Sequence, residues 1–127
     1  IINHFNTPDR FIFCTSKKII DDVGKELEEY NCCLEITDPF NFFKCISVEL
    51  NKIKPIRFNG WHEVTYKDRN EKWNGENFGI APELIKENFY KGQSEIRGIW
   101  EVTDGLEINP EFIISKDIRN YVKEVKY

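Results

Sequence analysis

One run near the end of the chain alternates with period two. Residues 93–102 read Gln-Ser-Glu-Ile-Arg-Gly-Ile-Trp-Glu-Val, with Ser94, Ile96, Gly98, Trp100 and Val102 on one parity and Gln93, Glu95, Arg97, Ile99 and Glu101 on the other. Successive side chains of a strand point to opposite faces, so the run predicts a strand with Gln93, Glu95 and Arg97 on one shared face. A chain of 127 residues can bury about 68% of its unfolded surface around such a strand, enough for one domain with its own core. No repeat or solenoid period is visible, and the expected organisation is a single domain over residues 1–127, with an N-terminal segment preceding a chain that starts Ile-Ile-Asn and contains no methionine.

The first half carries a different rhythm. Residues 10–16 are β-branched and aromatic after a Thr7-Pro8-Asp9 turn signal and predict a buried strand. From Ser16, a plausible N-cap, Ile19, Ile20, Val23, Leu27 and Tyr30 recur at helical spacing, and Asn31 closes the helix. Residues 32–37 read as a second strand. Asp38-Pro39 then supplies an N-cap and a first-turn proline for a helix whose apolar face is Phe42, Phe43, Ile46 and Leu50. Residues 55–61 look irregular, residues 63–66 predict a strand, and residues 67–79 a long loop without apolar period. A short strand or turn at 82–86 leads into the alternating run. After Asp104-Gly105, residues 112–114 supply a strand and Tyr121-Val122 a final helix or strand. The fold class is α+β: an early β-α-β-α segment, then mainly antiparallel strands, with helices concentrated early and strands late.

Composition excludes several functions. At 40% hydrophobic and 31% charged residues with a net charge of −4, the chain reads as globular and carries no broad positive field for duplex nucleic acid. Its apolar stretches fall far short of the roughly 20 residues of a membrane span, and its start lacks a signal-peptide pattern. Cys14, Cys32, Cys33 and Cys45 are expected to be reduced thiols in a cytoplasmic protein. His4 and His62 are isolated and no CxxC or HExxH spacing occurs, so no metal site is expected. Cys14 sits in an apolar run and reads as an inert thiol rather than a nucleophile. Glycine-rich phosphate loops are absent from the sequence, which removes kinase and dinucleotide-fold readings.

Two constellations remain. Residues 61–73 interleave Trp61, Tyr66 and Trp73 with basic residues, the make-up of a surface for single-stranded nucleic acid or a protein partner, although Glu63, Asp68 and Glu71 interrupt it. The plain alternative is that the aromatics cover the core edge. The second constellation pairs Cys14-Thr15-Ser16 at one strand end with Gln93-Ser94-Glu95 opening another. A carboxylate beside hydroxyls, with an amide two residues away, suits departure of a leaving group from a ribose through an oxocarbenium-like transition state. Here the plain alternative is that Ser16 caps a helix and Glu95 pairs with Arg97.

These residues resemble the ADP-ribosyltransferases of the Arg/Ser/Glu class, which carry a Ser-Thr-Ser-like strand motif and a Gln-x-Glu or Glu-x-Glu motif. The wider pattern, Phe-Cys-Thr-Ser, Leu-Glu-Ile-Thr-Asp-Pro, Val-Thr-Tyr and Phe-Tyr-Lys-Gly-Gln-Ser-Glu-Ile-Arg-Gly-Ile-Trp, spans about residues 10–102 and is similar to small bacterial and phage-linked members proposed as toxins or defence effectors. The resemblance implies an ADP-ribosyltransferase-like fold and NAD as substrate. It makes Glu95 the catalytic glutamate and Gln93 the acceptor-positioning residue, with Thr15 and Ser16 supporting the nicotinamide ribose. The NAD-clamping arginine would be Arg10 or lie upstream of Ile1. It further implies a protein or nucleic-acid acceptor and an antitoxin partner. The first motif position is Cys14 rather than serine. The competing expectation is a degenerate relative, a non-enzymatic interaction module that binds through residues 61–73.

Overall fold

The computed structural model describes residues 9–17, 32–68, 82–104 and 107–125. Its strands are β1 (Arg10–Ser16), β2 (Cys33–Ile36), β3 (Ile56–Glu63), β4 (Thr65–Lys67), β5 (Ile85–Glu87), β6 (Glu95–Val102) and β7 (Val122–Val125), with helix α1 at Pro39–Ile53. Short 3-10 turns precede β5, β6 and β7 at Pro82–Leu84, Asn88–Gln93 and Ile118–Tyr121. β6 is the centre of an antiparallel sheet ordered β1-β6-β3, while β2-β7 is an antiparallel pair and β4-β5 a parallel one. The α+β class holds. Among the described residues no helix is long and apolar enough to cross a membrane. All four cysteines are free.

Helix α1 forms where the sequence places it, and the reasons are local. Asp38 accepts the Asn41 backbone N–H at 3.2 Å and the Asn41 side-chain amide at 2.7 Å, and Pro39 occupies the first turn, where its missing donor costs nothing. The helix stops before Pro55, whose ring forces the preceding Lys54 into extended backbone at φ −146° and ψ 149°. Phe42, Phe43, Ile46 and Leu50 are buried and pack with Trp100 of β6, ringed by Phe11, Ile56, Phe58 and Ile113 among others. Trp100 is 1% exposed. Its indole N–H donates to the Ser47 hydroxyl at 2.8 Å, which in turn donates to the Phe43 carbonyl at 2.9 Å, so burial leaves no donor stranded.

Several expectations are corrected. Residues 55–61 are not irregular, because β3 runs through Ile56–Glu63. Its register against β6 shifts between Phe58, opposite Trp100, and Trp61, opposite Gly98, an extra residue accommodated at Gly60 with φ +87°. That bulge brings Phe58 and Trp61, three residues apart, to the same side, where both stack on Phe43 at 5.6 and 5.3 Å between ring centroids. Parity counting fails across a bulge, which hid the strand. The strand expected at 63–66 is interrupted at buried Val64, with β4 beginning at Thr65. Residues 112–114 form no strand: Pro110 withholds a ladder donor, and Phe112 and Ile114 are exposed while only Ile113 packs on the core. The strands expected at 10–16 and 32–37 are present as β1 and β2, ahead of α1. The helix expected from Ser16 to Tyr30 and most of the 67–79 loop lie outside the described residues, although Lys67 itself ends β4.

Candidate functional site

In an antiparallel ladder, residues directly opposite share a face. The β1–β6 register pairs Arg10 with Glu101, Cys14 with Arg97 and Ser16 with Glu95, while Phe11, Gly98 and Trp100 belong to the other face, against α1. The sheet is therefore apolar toward the helix, while its far side carries Arg10 and Glu101 near one end and Cys14, Ser16, Glu95 and Arg97 near the other, with Ile12 and buried Ile99 between them. Cys14, Ser16, Glu95, Arg97 and, from β3, His62 meet there near one end of the sheet.

Glu95 is the hub. Its backbone N–H donates to the Tyr66 hydroxyl at 2.8 Å, and its carbonyl accepts from the Val64 N–H at 3.0 Å, so β4 and the β3–β4 break fix its main chain. Its carboxylate is only 11% exposed and is held by two cations: Lys86 Nζ to Oε1 at 2.5 Å and Arg97 Nε to Oε2 at 2.8 Å. Burial pushes its carboxyl upward, but the hydrogen bonds and positive charges of Lys86 and Arg97 outweigh this and hold it below the usual carboxylate value. Glu95 is thus an ionised, oriented carboxylate. The Cys14 thiol is pushed up by burial and by the Glu95 charge, against the pull of Arg97 and Lys86, which makes it a poor nucleophile.

Gln93 reaches the hub by another route than the one expected. It is not on β6: it ends the 3-10 turn Asn88–Gln93, and Ser94 follows in left-handed backbone at φ 46° and ψ 51°. A non-glycine residue is seldom found there, and such positions concentrate at functional turns. The turn is pinned by the Lys17 N–H on the Ser94 carbonyl at 3.0 Å and by the Ser16 hydroxyl on the Gln93 carbonyl at 2.8 Å. Its consequence is that the Gln93 side-chain oxygen accepts from Lys86 Nζ at 2.6 Å, on the ammonium that also holds Glu95.

The other expected residues divide. Ser16 stands opposite Glu95. Thr15, on the opposite parity, donates its hydroxyl to the Ile96 carbonyl at 2.9 Å and is not brought to the Glu95 face. Arg10 begins β1, about 20 Å from Ser16 at about 3.3 Å per residue. Its guanidinium pairs with the Glu83 carboxylate, and the Glu83 carbonyl accepts from Arg97 Nη1 at 2.7 Å. Among the described residues, Arg10 connects to the hub through Glu83 and Arg97.

Of the aromatic stretch, Trp61 stacks on Phe43 and Tyr66 serves Glu95, while Trp73 lies outside the described residues. Arg97 was legible by parity. Lys86 and Glu83 had no sequence signal, because the segment carrying them reaches Glu95 only through the β4–β5 pairing. Comparison with protein-family models, curated proteins and solved structures finds no match.

Proposed function

We propose that the chain is an ADP-ribosyltransferase-like enzyme that takes NAD as substrate and transfers ADP-ribose to a protein or nucleic-acid acceptor, as a toxin or defence effector. The observation that carries this reading is the convergence of Glu95, opposite Ser16 in the β1–β6 ladder, and Gln93 on one lysine. In this reading the Glu95 carboxylate accepts a hydrogen bond from a ribose hydroxyl of NAD. Its negative charge stabilises the positive charge that grows on the anomeric carbon as the bond to nicotinamide breaks. The electron pair of that bond leaves with nicotinamide, the acceptor nucleophile forms the new bond at the same carbon, and the acceptor's proton is released. Ser16 lies on the ribose side and the Gln93 amide orients the acceptor.

Label transfer from NAD in a cell lysate tests the reading. The wild type is expected to label an acceptor, and Glu95→Gln to lose activity by at least a hundredfold. Absence of both transfer and NAD hydrolysis in the wild type would end it.

A second reading has its own observation. Both Glu95 oxygens are already ion-paired and Arg10 is committed to Glu83, as in a scaffold that has given up catalysis for binding. That interaction module would neither bind nor consume NAD.

A further inference from the structure

Among the described residues the β1-β6-β3 sheet ends in two open edges, and the two differ. An open edge offers unpaired donors and acceptors, and proteins blunt such edges with bulges, prolines or charges. β3 has its bulge at Gly60, whereas β1 reads Arg-Phe-Ile-Phe-Cys-Thr-Ser with neither bulge nor proline, and its one charge stands at its first residue. The Lys17 N–H donates to the Ser94 carbonyl, one step past the Ser16–Glu95 pair. Main-chain direction alternates along a ladder, so Phe11, Phe13 and Thr15 turn their groups to β6. Ile12 and Cys14 turn theirs outward, where nothing among the described residues meets them. Side chains along this edge are uncovered on both faces of the sheet: Phe13 is 40% exposed beside Phe42, and on the other face Ile12 is 42% exposed and Cys14 is exposed.

We infer that β1 pairs antiparallel with β1 of a second copy of this chain, continuing the sheet across a two-fold axis at Phe13. A two-fold axis perpendicular to the sheet keeps each residue on its own face, so only registers of like parity are allowed, and one of these also matches charge. With Phe13 opposite itself, exposed Asp9 faces Lys17 of the partner subunit and exposed Lys17 faces the partner's Asp9. Moving the axis to Ile12 or Cys14 loses both pairs. Lys17 gives up only its contact with Glu63 at 3.3 Å, an exposed ion pair of the kind that contributes little to stability. In the same register Ile12 and the partner's Cys14 exchange main-chain hydrogen bonds in both directions, and Phe13 meets the partner's Phe13 at a non-hydrogen-bonded position, where side chains come closest. The pairing stands or falls independently of the proposed chemistry.

Sedimentation equilibrium of the whole chain tests it. The wild type should sediment at twice the 15.1 kDa chain mass. Ile12→Pro removes an outward donor and none of the β6 ladder, so it should match the wild type in circular dichroism and sediment as a monomer. Asp9→Lys sets like charges opposite each other at both ends and should weaken the dimer about tenfold, and adding Lys17→Asp should restore it. A wild type that stays monomeric at all concentrations leaves the edge to another part of this chain or to a foreign strand and overturns the inference. So does a dimer that folded Ile12→Pro retains or, should that variant not fold, a dimer that Asp9→Lys leaves at full strength.

Discussion

Glu95 holds two roles that pull in different directions. A carboxylate 11% exposed between Lys86 and Arg97 is part of what holds β5 to β6, so its removal is a stability event as well as a chemical one. Glu95→Gln leaves two partly buried cations facing a neutral amide and should cost about 1–3 kcal/mol at pH 7. The pH dependence follows from the lowered carboxyl value. Folding favours the ionised form, so the stabilisation is fully present above the unfolded value of about 4.3 and is lost as pH falls through the lower folded value. Denaturant unfolding of both proteins from pH 7 down to about pH 2 should show the gap narrowing in the acid range. A gap that stays constant with pH would mean that charge pairing is not its source.

At the scale of elements, β6 decides the packing. A Cβ added at Gly98 would lie 2.6 Å from Phe43 Cε1 and 3.1 Å from Trp100 Cη2. Phe43 cannot give way, since Phe58 and Trp61 stack on it. Gly98→Ala should therefore destabilise by about 1–3 kcal/mol, read as a lower denaturant midpoint with an unchanged slope. An unchanged midpoint would show that the α1–β6 contact is looser than the ring distances imply.

What could be read from the sequence follows the same physics. Asp38-Pro39 and the Phe42, Phe43, Ile46 and Leu50 spacing are local signals, and they located α1. Alternation located β6 and put Glu95 and Arg97 on one face. Gln93 was assigned to that strand because period two cannot report the left-handed turn at Ser94 that ends the preceding 3-10 segment. β3 was missed because the bulge at Gly60 shifts its parity. The contacts of Lys86 and Glu83 with the hub were not legible at all, since no spacing encodes the approach of one short segment to another.

Across the whole molecule, an apolar layer between α1 and the β1-β6-β3 sheet supports a second face on the sheet's other side, where charged residues flank Ile12 and buried Ile99. Ion pairs and hydrogen bonds link Arg10 through Glu83, Arg97 and Glu95 to Lys86 and Gln93. With a net charge of −4, the chain as a whole does not attract a dinucleotide, so the proposed reading draws its affinity from local cations. Calorimetric titration of the folded wild type with NAD tests this central claim most directly. The account predicts saturable one-to-one binding that weakens as salt rises. A flat titration, with the protein folded and concentrated, would contradict it and leave the interaction module in its place.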